Sequence, residues 1–197
     1  MSKLPLGPEG PFRFDFMHQV TSVSLIRDCP ATQIPSGLLT TLPAGTAVDI
    51  TQTLGGSYTV HAASGGLYRI GSEDADALGT TPVGPAAQIT TDGPVDEQAV
   101  WNVLRSCYDP EIPVNIVDLG LVYDMRLEPL ADGKKAVWVS MTLTAPGCGM
   151  GGVIARDAQE RLTLLPGVET ANVEIVWDPP WHPSLISDEG KKILGLE

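Results

Sequence analysis

One cysteine stands where the sequence predicts a sharp turn between a strand and a helix. Cys148 lies in the glycine-rich segment 144–152, after an apolar run at 137–143 and before a helical pattern at 153–165. Unpaired N–H groups and the positive end of the helix dipole favour a thiolate there, and glycines let the backbone approach whatever the sulfur binds. The pattern marks Cys148 as a candidate for binding a metal cluster or a sulfur species. The alternative is a small residue packed in a turn.

A loop upstream carries a second group of polar side chains. Two prolines, Pro110 and Pro113, bar a regular helix at the start of the segment 109–122. The functional interpretation is that polar side chains of this loop line a site beside Cys148, as hard oxygen ligands or as a holder for a basic residue of a partner. The other interpretation is that they cap and form turns. These side chains are Asp109, Glu111, Asn115 and Asp118.

The glycine-rich segment also matches G-x-G-x-x-G, at Gly147, Gly149 and Gly152. Such a fingerprint binds dinucleotides when it follows a strand of a parallel sheet. The preceding strand is instead expected to pair with its neighbour through a short turn, which makes that pair antiparallel. An enzyme that uses Cys148 as a nucleophile is a further alternative, and it is disfavoured because no histidine base stands nearby. The sequence therefore favours a protein that is not an enzyme.

Cysteine usage and overall charge narrow the class of protein. The three cysteines, Cys29, Cys107 and Cys148, form no C-x-x-C pair, so a disulfide framework or a closed four-cysteine zinc site is not expected. Cys107 falls on an apolar helix face and is expected to be a buried small hydrophobe, whereas Cys29 precedes a proline near the end of a β run and could be exposed. Three separated cysteines without an expected disulfide are typical of a protein in the reducing cytoplasm.

The composition indicates a globular protein with a substantial core. Of 197 residues, 43% are hydrophobic and 18% are charged, and the net charge is −12. This acidity argues against nucleic acid and anionic membranes as partners. No apolar run approaches the ~20 residues of a membrane span, and the N-terminus shows no signal-peptide pattern. The length allows one large domain or two small ones.

The hydrophobic period changes along the chain and divides it in two. Residues 1–79 are expected to form a small β-rich domain, an antiparallel barrel or sandwich, with turns at 35–37, 55–56 and 65–66. The Pro- and Gly-rich stretch 80–94 is the predicted linker. Residues 95–197 show the order α-β-β-α-β, which predicts helices packed on one face of a small sheet. The predicted fold class is therefore α+β.

Four blocks in the second half resemble the iron–sulfur cluster assembly family that includes SufT and, more distantly, the PaaD-like proteins. They are DPEIP (109–113), NIVDLGLV (115–122), MTLT (141–144) and PGC (146–148). In the first half, ITQTLGGSYTV (50–60) and DADALG (74–79) resemble the additional N-terminal domain of SufT. The resemblance covers nearly the whole chain.

The resemblance implies a non-enzymatic factor of the SUF system that matures iron–sulfur proteins, with an important cysteine at Cys148 and with Thr144, Gly147 and Gly149 around it. Its partners would be iron–sulfur assembly proteins and apo client proteins. One thiolate per chain cannot fill the four ligand positions of a cluster, so cluster binding would be transient and shared with a client, a small thiol or the second chain of a homodimer. The alternative is an adaptor that binds no metal and recruits clients to the assembly machinery.

Overall fold

The computed structural model describes residues 21–81, 95–131 and 133–196. Residues 21–81 are called the β unit, and residues 95–131 together with 133–196 the C-terminal unit. Residues 1–20 and most of the predicted linker, 82–94, lie outside the described residues, so the predicted domain boundaries stay a prediction. In the described parts of the chain, no helix combines the length and the apolar character that a membrane crossing needs.

The β unit is one antiparallel sheet with the linear strand order β1-β4-β5-β6-β2-β3. The sequence favoured a barrel or a sandwich, but the described strands run from β1 at one edge to β3 at the other. A 3-10 helix, Ser72–Leu78, packs on this sheet and was not predicted. The strands are β1 (Thr21–Ser24), β2 (Cys29–Ile34), β3 (Leu39–Leu42), β4 (Ala47–Leu54), β5 (Ser57–Ala62) and β6 (Leu67–Ile70).

The C-terminal unit has the predicted order α-β-β-α-β and ends in one further helix. Strands β7 and β8 are antiparallel, whereas β8 and β9 are parallel, because α2 carries the chain back across the sheet. The antiparallel first pair agrees with the argument against a dinucleotide fold. The elements are α1 (Glu97–Leu104), β7 (Val122–Pro129), β8 (Lys135–Met141), α2 (Gly151–Thr163), β9 (Val168–Ile175) and α3 (Asp188–Leu194).

The apolar periodicities place the core where the sequence predicted it. Asp96 caps α1 by accepting a hydrogen bond from the backbone N–H of Ala99 at 2.8 Å. The inward residues of α1, β8 and α2 all lie in one buried cluster. They include Val100, Val103, Leu104, Cys107, Val137, Val139, Met141, Ile154, Ala158 and Leu162. This cluster fixes the end of β8 and the start of α2 relative to each other.

The two units share part of this core. Ile34, the last residue of β2, is buried in the cluster of the C-terminal unit, and Leu67 of β6 packs against it. The β unit has its own cluster as well, built around Val60 and Ile70. The two units are therefore in direct apolar contact.

We expect Leu162→Asp to lower the free energy of unfolding by about 4 kcal/mol or more, because it places an unpaired charge in the core. Leu164→Asp is the matched control, since Leu164 is 66% exposed at the end of the same helix, and it should change stability by less than about 0.5 kcal/mol. Urea denaturation followed by circular dichroism measures both. Equal stability of the two variants would contradict the burial of this face of α2.

Candidate functional site

Cys148 lies in the loop between β8 and α2, as the sequence predicted. Its side chain is half-buried and packs against the core of the C-terminal unit. The Cys148 carbonyl accepts a hydrogen bond from the N–H of Gly151 at 3.2 Å, so the cysteine directly precedes the first turn of α2. The fully buried side chain of Met150 anchors the loop to the core. The thiol is held in place and remains partly accessible.

The glycines around Cys148 have different structural roles. Gly147 has a φ of +82°, which favours glycine, and open space surrounds it. At Gly151 a Cβ would lie 2.3 Å from the Cδ1 of Leu143, so a larger residue there would displace the Leu143 side chain in the core. Gly149 faces the backbone of Ser36 in the β unit, a contact that sequence reasoning missed.

The other two thiols are fully buried. Burial, followed by the charge of the Asp157 carboxylate, raises the pKa of Cys107 to about 12. Burial, followed by the charge of Asp74, raises the pKa of Cys29 to about 11. The sequence allowed an exposed Cys29, but the structure places it in the core of the β unit. Cys148 is therefore the one cysteine whose thiol is partly accessible in the folded chain.

Asp109 organises the start of the polar loop. Its Oδ1 accepts hydrogen bonds from the N–H groups of Glu111 at 2.8 Å and Ile112 at 3.0 Å. The Asp109 side chain is buried, and this burial raises its pKa above the usual range. Glu111 points outward and is exposed. Asp109 thus stabilises the turn at the start of this loop, where the two prolines exclude a regular helix.

Asn115 and Asp118 tie the same loop to the last helix. The side-chain oxygen of Asn115 accepts from the N–H groups of Val117 and Asp118, and its Nδ2 donates to Asp118 Oδ2 at 2.6 Å. The second carboxylate oxygen of Asp118 accepts from the hydroxyl of Ser187 at 2.8 Å, and Ser187 caps α3. The bonds of Asn115 hold the loop in shape, and the bond from Ser187 to Asp118 holds the loop against α3.

The predicted site residues lie on two loops. Thr144, Gly147, Cys148 and Gly149 share one loop, whereas the hydrogen bonds of Asp109, Asn115 and Asp118 run within their own loop and to α3. Within residues 21–81, 95–131 and 133–196, no three His, Cys, Asp or Glu side chains are grouped as a metal site would require. A role of the polar loop beside Cys148 stays a prediction.

Thr142, at the end of β8, is a residue that sequence reasoning did not single out. Its side chain is fully buried, and its hydroxyl oxygen has no hydrogen-bond partner within the described part of the chain. An unpaired buried hydroxyl costs about 1–3 kcal/mol. The block MTLT (141–144) contains this residue, but nothing in that block distinguishes Thr142 from Thr144, and only the unfilled hydrogen bond does.

In the native protein at neutral pH, we expect alkylation at Cys148 alone. The raised pKa values of Cys29 and Cys107 keep these thiols protonated until well above neutral pH, and burial also blocks the reagent. Mass spectrometry after iodoacetamide treatment, with and without denaturant, measures each site. Native labelling of Cys107 as fast as that of Cys148 would contradict the assignment.

Two substitutions at Asp109 separate its geometry from its charge. Asp109→Ala should cost about 1–3 kcal/mol, because two N–H donors lose their acceptor. Asp109→Asn keeps the acceptor and should be at least as stable as wild type at pH 7. Because the folded pKa is raised, the buried charge lowers stability above that pKa, and this penalty disappears as the pH falls through it. Urea titrations at neutral and acidic pH test this, and an Asn variant as unstable as the Ala variant would show that the charge is required.

The similarity of this chain to a known family lies in the C-terminal unit. A family described as iron–sulfur cluster assembly protein matches residues 97–175. The chain is 38% identical over 100 residues to the Fe-S protein maturation auxiliary factor of Porphyromonas gingivalis, which covers 51% of this chain and 91% of that protein. It is 39% identical over 88 residues to the Fe-S protein maturation auxiliary factor SufT of Staphylococcus aureus, covering 45% and 96%.

A solved structure of a conserved hypothetical protein from Thermotoga maritima is 35% identical and has a TM-score of 0.45, covering 53% of this chain and 99% of that one. The relatives match nearly over their whole length, and the family match begins at α1, so the β unit lies outside it. The resemblance drawn from the sequence is confirmed for this half of the chain: the protein belongs to the iron–sulfur cluster assembly family.

Proposed function

We propose that this protein is a cytoplasmic, non-enzymatic maturation factor that transiently holds iron–sulfur, or helps to transfer it to client proteins, through Cys148. One observation carries the proposal. Of three thiols, only that of Cys148 is partly accessible, and it lies within the matched region at the entry to α2. Two relatives carry the name Fe-S protein maturation auxiliary factor, which supports the same role.

The number of ligands limits how the cargo is held. A cluster is bound by four ligands, usually thiolates, and one chain offers one partly accessible thiol. The remaining ligands then come from a client, an assembly protein, a small thiol or the Cys148 of a second chain in a homodimer. Binding that depends on an outside ligand is readily reversed, which suits a carrier.

Transfer requires only ligand exchange. A cysteine thiol of the client loses its proton to solvent and forms an iron–sulfur bond as the bond between iron and the Cys148 sulfur breaks. Cys148 then takes up a proton or binds the next cargo, and no electrons are gained or lost. The half-buried position of Cys148 permits this exchange, whereas full burial prevents it at Cys29 and Cys107.

Anaerobic reconstitution with iron, sulfide and a small thiol, which supplies the ligands that one chain lacks, tests the carrier role. Wild-type protein should develop visible sulfide-to-iron absorption, and Cys148→Ser should lose it while keeping the circular dichroism spectrum and melting temperature. Cys107→Ala is the control, because it removes a thiol that cannot reach the cargo, and it should retain the absorption.

Absorption that persists in Cys148→Ser would contradict the assignment of the ligand. If wild type binds no cluster but still associates with apo client proteins, the carrier proposal fails and the adaptor role replaces it.

A further inference from the structure

The turn between β2 and β3 touches the Cys148 loop backbone to backbone. A Cβ placed on Gly37 would lie 2.0 Å from the carbonyl oxygen of Gly149. A Cβ placed on Gly149 would lie 2.3 Å from the carbonyl oxygen of Ser36 and 2.7 Å from that of Pro35. Both glycines are therefore needed for the two backbones to come this close. The contact restrains Gly149, which is the direct neighbour of Cys148.

The β2–β3 turn is well fixed within its own sheet. The N–H of Gln33 donates to the carbonyl of Leu38, and the N–H of Gly37 donates to the carbonyl of Gln33, both at 2.8 Å. Ile34, just before the turn, is buried in the core of the C-terminal unit. The turn thus presents a firm surface to Gly149.

A second contact holds the β unit to the middle of α2. Arg69 of β6 pairs with Asp157 at 2.9 Å, and Arg161 donates to the same carboxylate through Nε at 2.9 Å. All three side chains are less than one-fifth exposed, so this network is shielded from solvent. A cleft of about 430 Å³, lined by Thr32, Leu39 and residues of α2, lies beside these contacts. The ion pair on α2 and the contact at Gly149, in the loop that leads into α2, therefore together hold the β unit at two points.

On the side that faces away from the core of the C-terminal unit, the Cys148 loop has few other restraints. Open space surrounds the Cα positions of Gly147 and Gly152. The N–H of Cys148 reaches the carbonyl of Ala145 at 3.4 Å, a long hydrogen bond. The β unit therefore supplies the principal outer restraint at Gly149, although it lies outside the family match at 97–175.

We propose that the β2–β3 turn is a positioning element for Cys148, which holds the loop closed at Gly149 and thereby limits access to the thiol. This inference rests on the proposed function in one respect only, namely that Cys148 is the residue that binds the cargo. Release of the turn frees Gly149 and lets the loop open, so thiol-reactive molecules and client ligands reach the sulfur faster. Docking of the β unit thus sets the rate at which Cys148 exchanges ligands.

The test is the rate of iodoacetamide alkylation of Cys148 in the full chain, measured by mass spectrometry at neutral pH. Gly37→Ala should raise this rate at least about fivefold, because the new methyl group forces the turn away from Gly149. Gly79→Ala is the matched control. Gly79 has the same φ of +70° but open space around it, so the variant carries similar backbone strain without the collision. Its alkylation rate should stay within about twofold of wild type.

A second pair of variants approaches the contact from the other side. Gly149→Ala should raise the rate as Gly37→Ala does, whereas Gly152→Ala, in open space nearby, should not. The double variant of Gly37 and Gly149 should react little faster than either single variant, since both disrupt one contact. Protection of Cys29 and Cys107 in each variant verifies that the fold is intact.

A folded Gly37→Ala protein with the wild-type alkylation rate would overturn the inference. If both glycine variants unfold, Arg69→Gln loosens the docking without adding bulk at the turn, and an unchanged rate in that variant would overturn it equally. Wild-type protein that binds no cluster, together with accelerated alkylation in Gly37→Ala, would refute the carrier function and leave the positioning role standing.

Discussion

The close packing of α2 on the second sheet is the constraint on which the rest of the structure depends. Because α2 links the parallel strands β8 and β9, the chain has to turn back over the sheet within a short loop. Gly151, the first residue of α2, packs closely on the Leu143 side chain, so the start of the helix is set against the end of the loop. Cys148 lies at that turn, and its half-buried position follows from the packing of α2.

The same helix also receives the β unit. Its inner face carries Leu162 into the core, and its other side carries Asp157 between two arginines. Removing two guanidinium groups and a carboxylate from water is costly, and the bond between Arg69 and Asp157, which offsets part of that cost, exists only while the two units stay together. Any displacement of α2 is therefore transmitted both to the sheet and to the contact at Gly149.

Local patterns predicted the elements well because each depends on neighbours in the sequence. The apolar run at 137–143 predicted β8, and the helical pattern at 153–165 predicted α2. The strand–glycine–helix order around Cys148 placed the candidate thiol correctly. These signals arise from the periods of strand and helix and need no knowledge of tertiary structure.

The features that sequence reasoning missed depend on residues far apart in the chain. Asp118 bonds Ser187 across 69 positions, so its role in capping the last helix was invisible in the loop alone. Cys29 is buried because its side chain lies on the face of β2 that packs into the core of the β unit, among residues from other strands that local periodicity does not reveal. The contact at Gly149 has one further consequence. Since main-chain atoms of Ser36 make it, the contact constrains the path of the chain there and not the identity of that side chain. Two positions both held at glycine would show no correlated substitution, so covariation between sequences would leave this interface undetected.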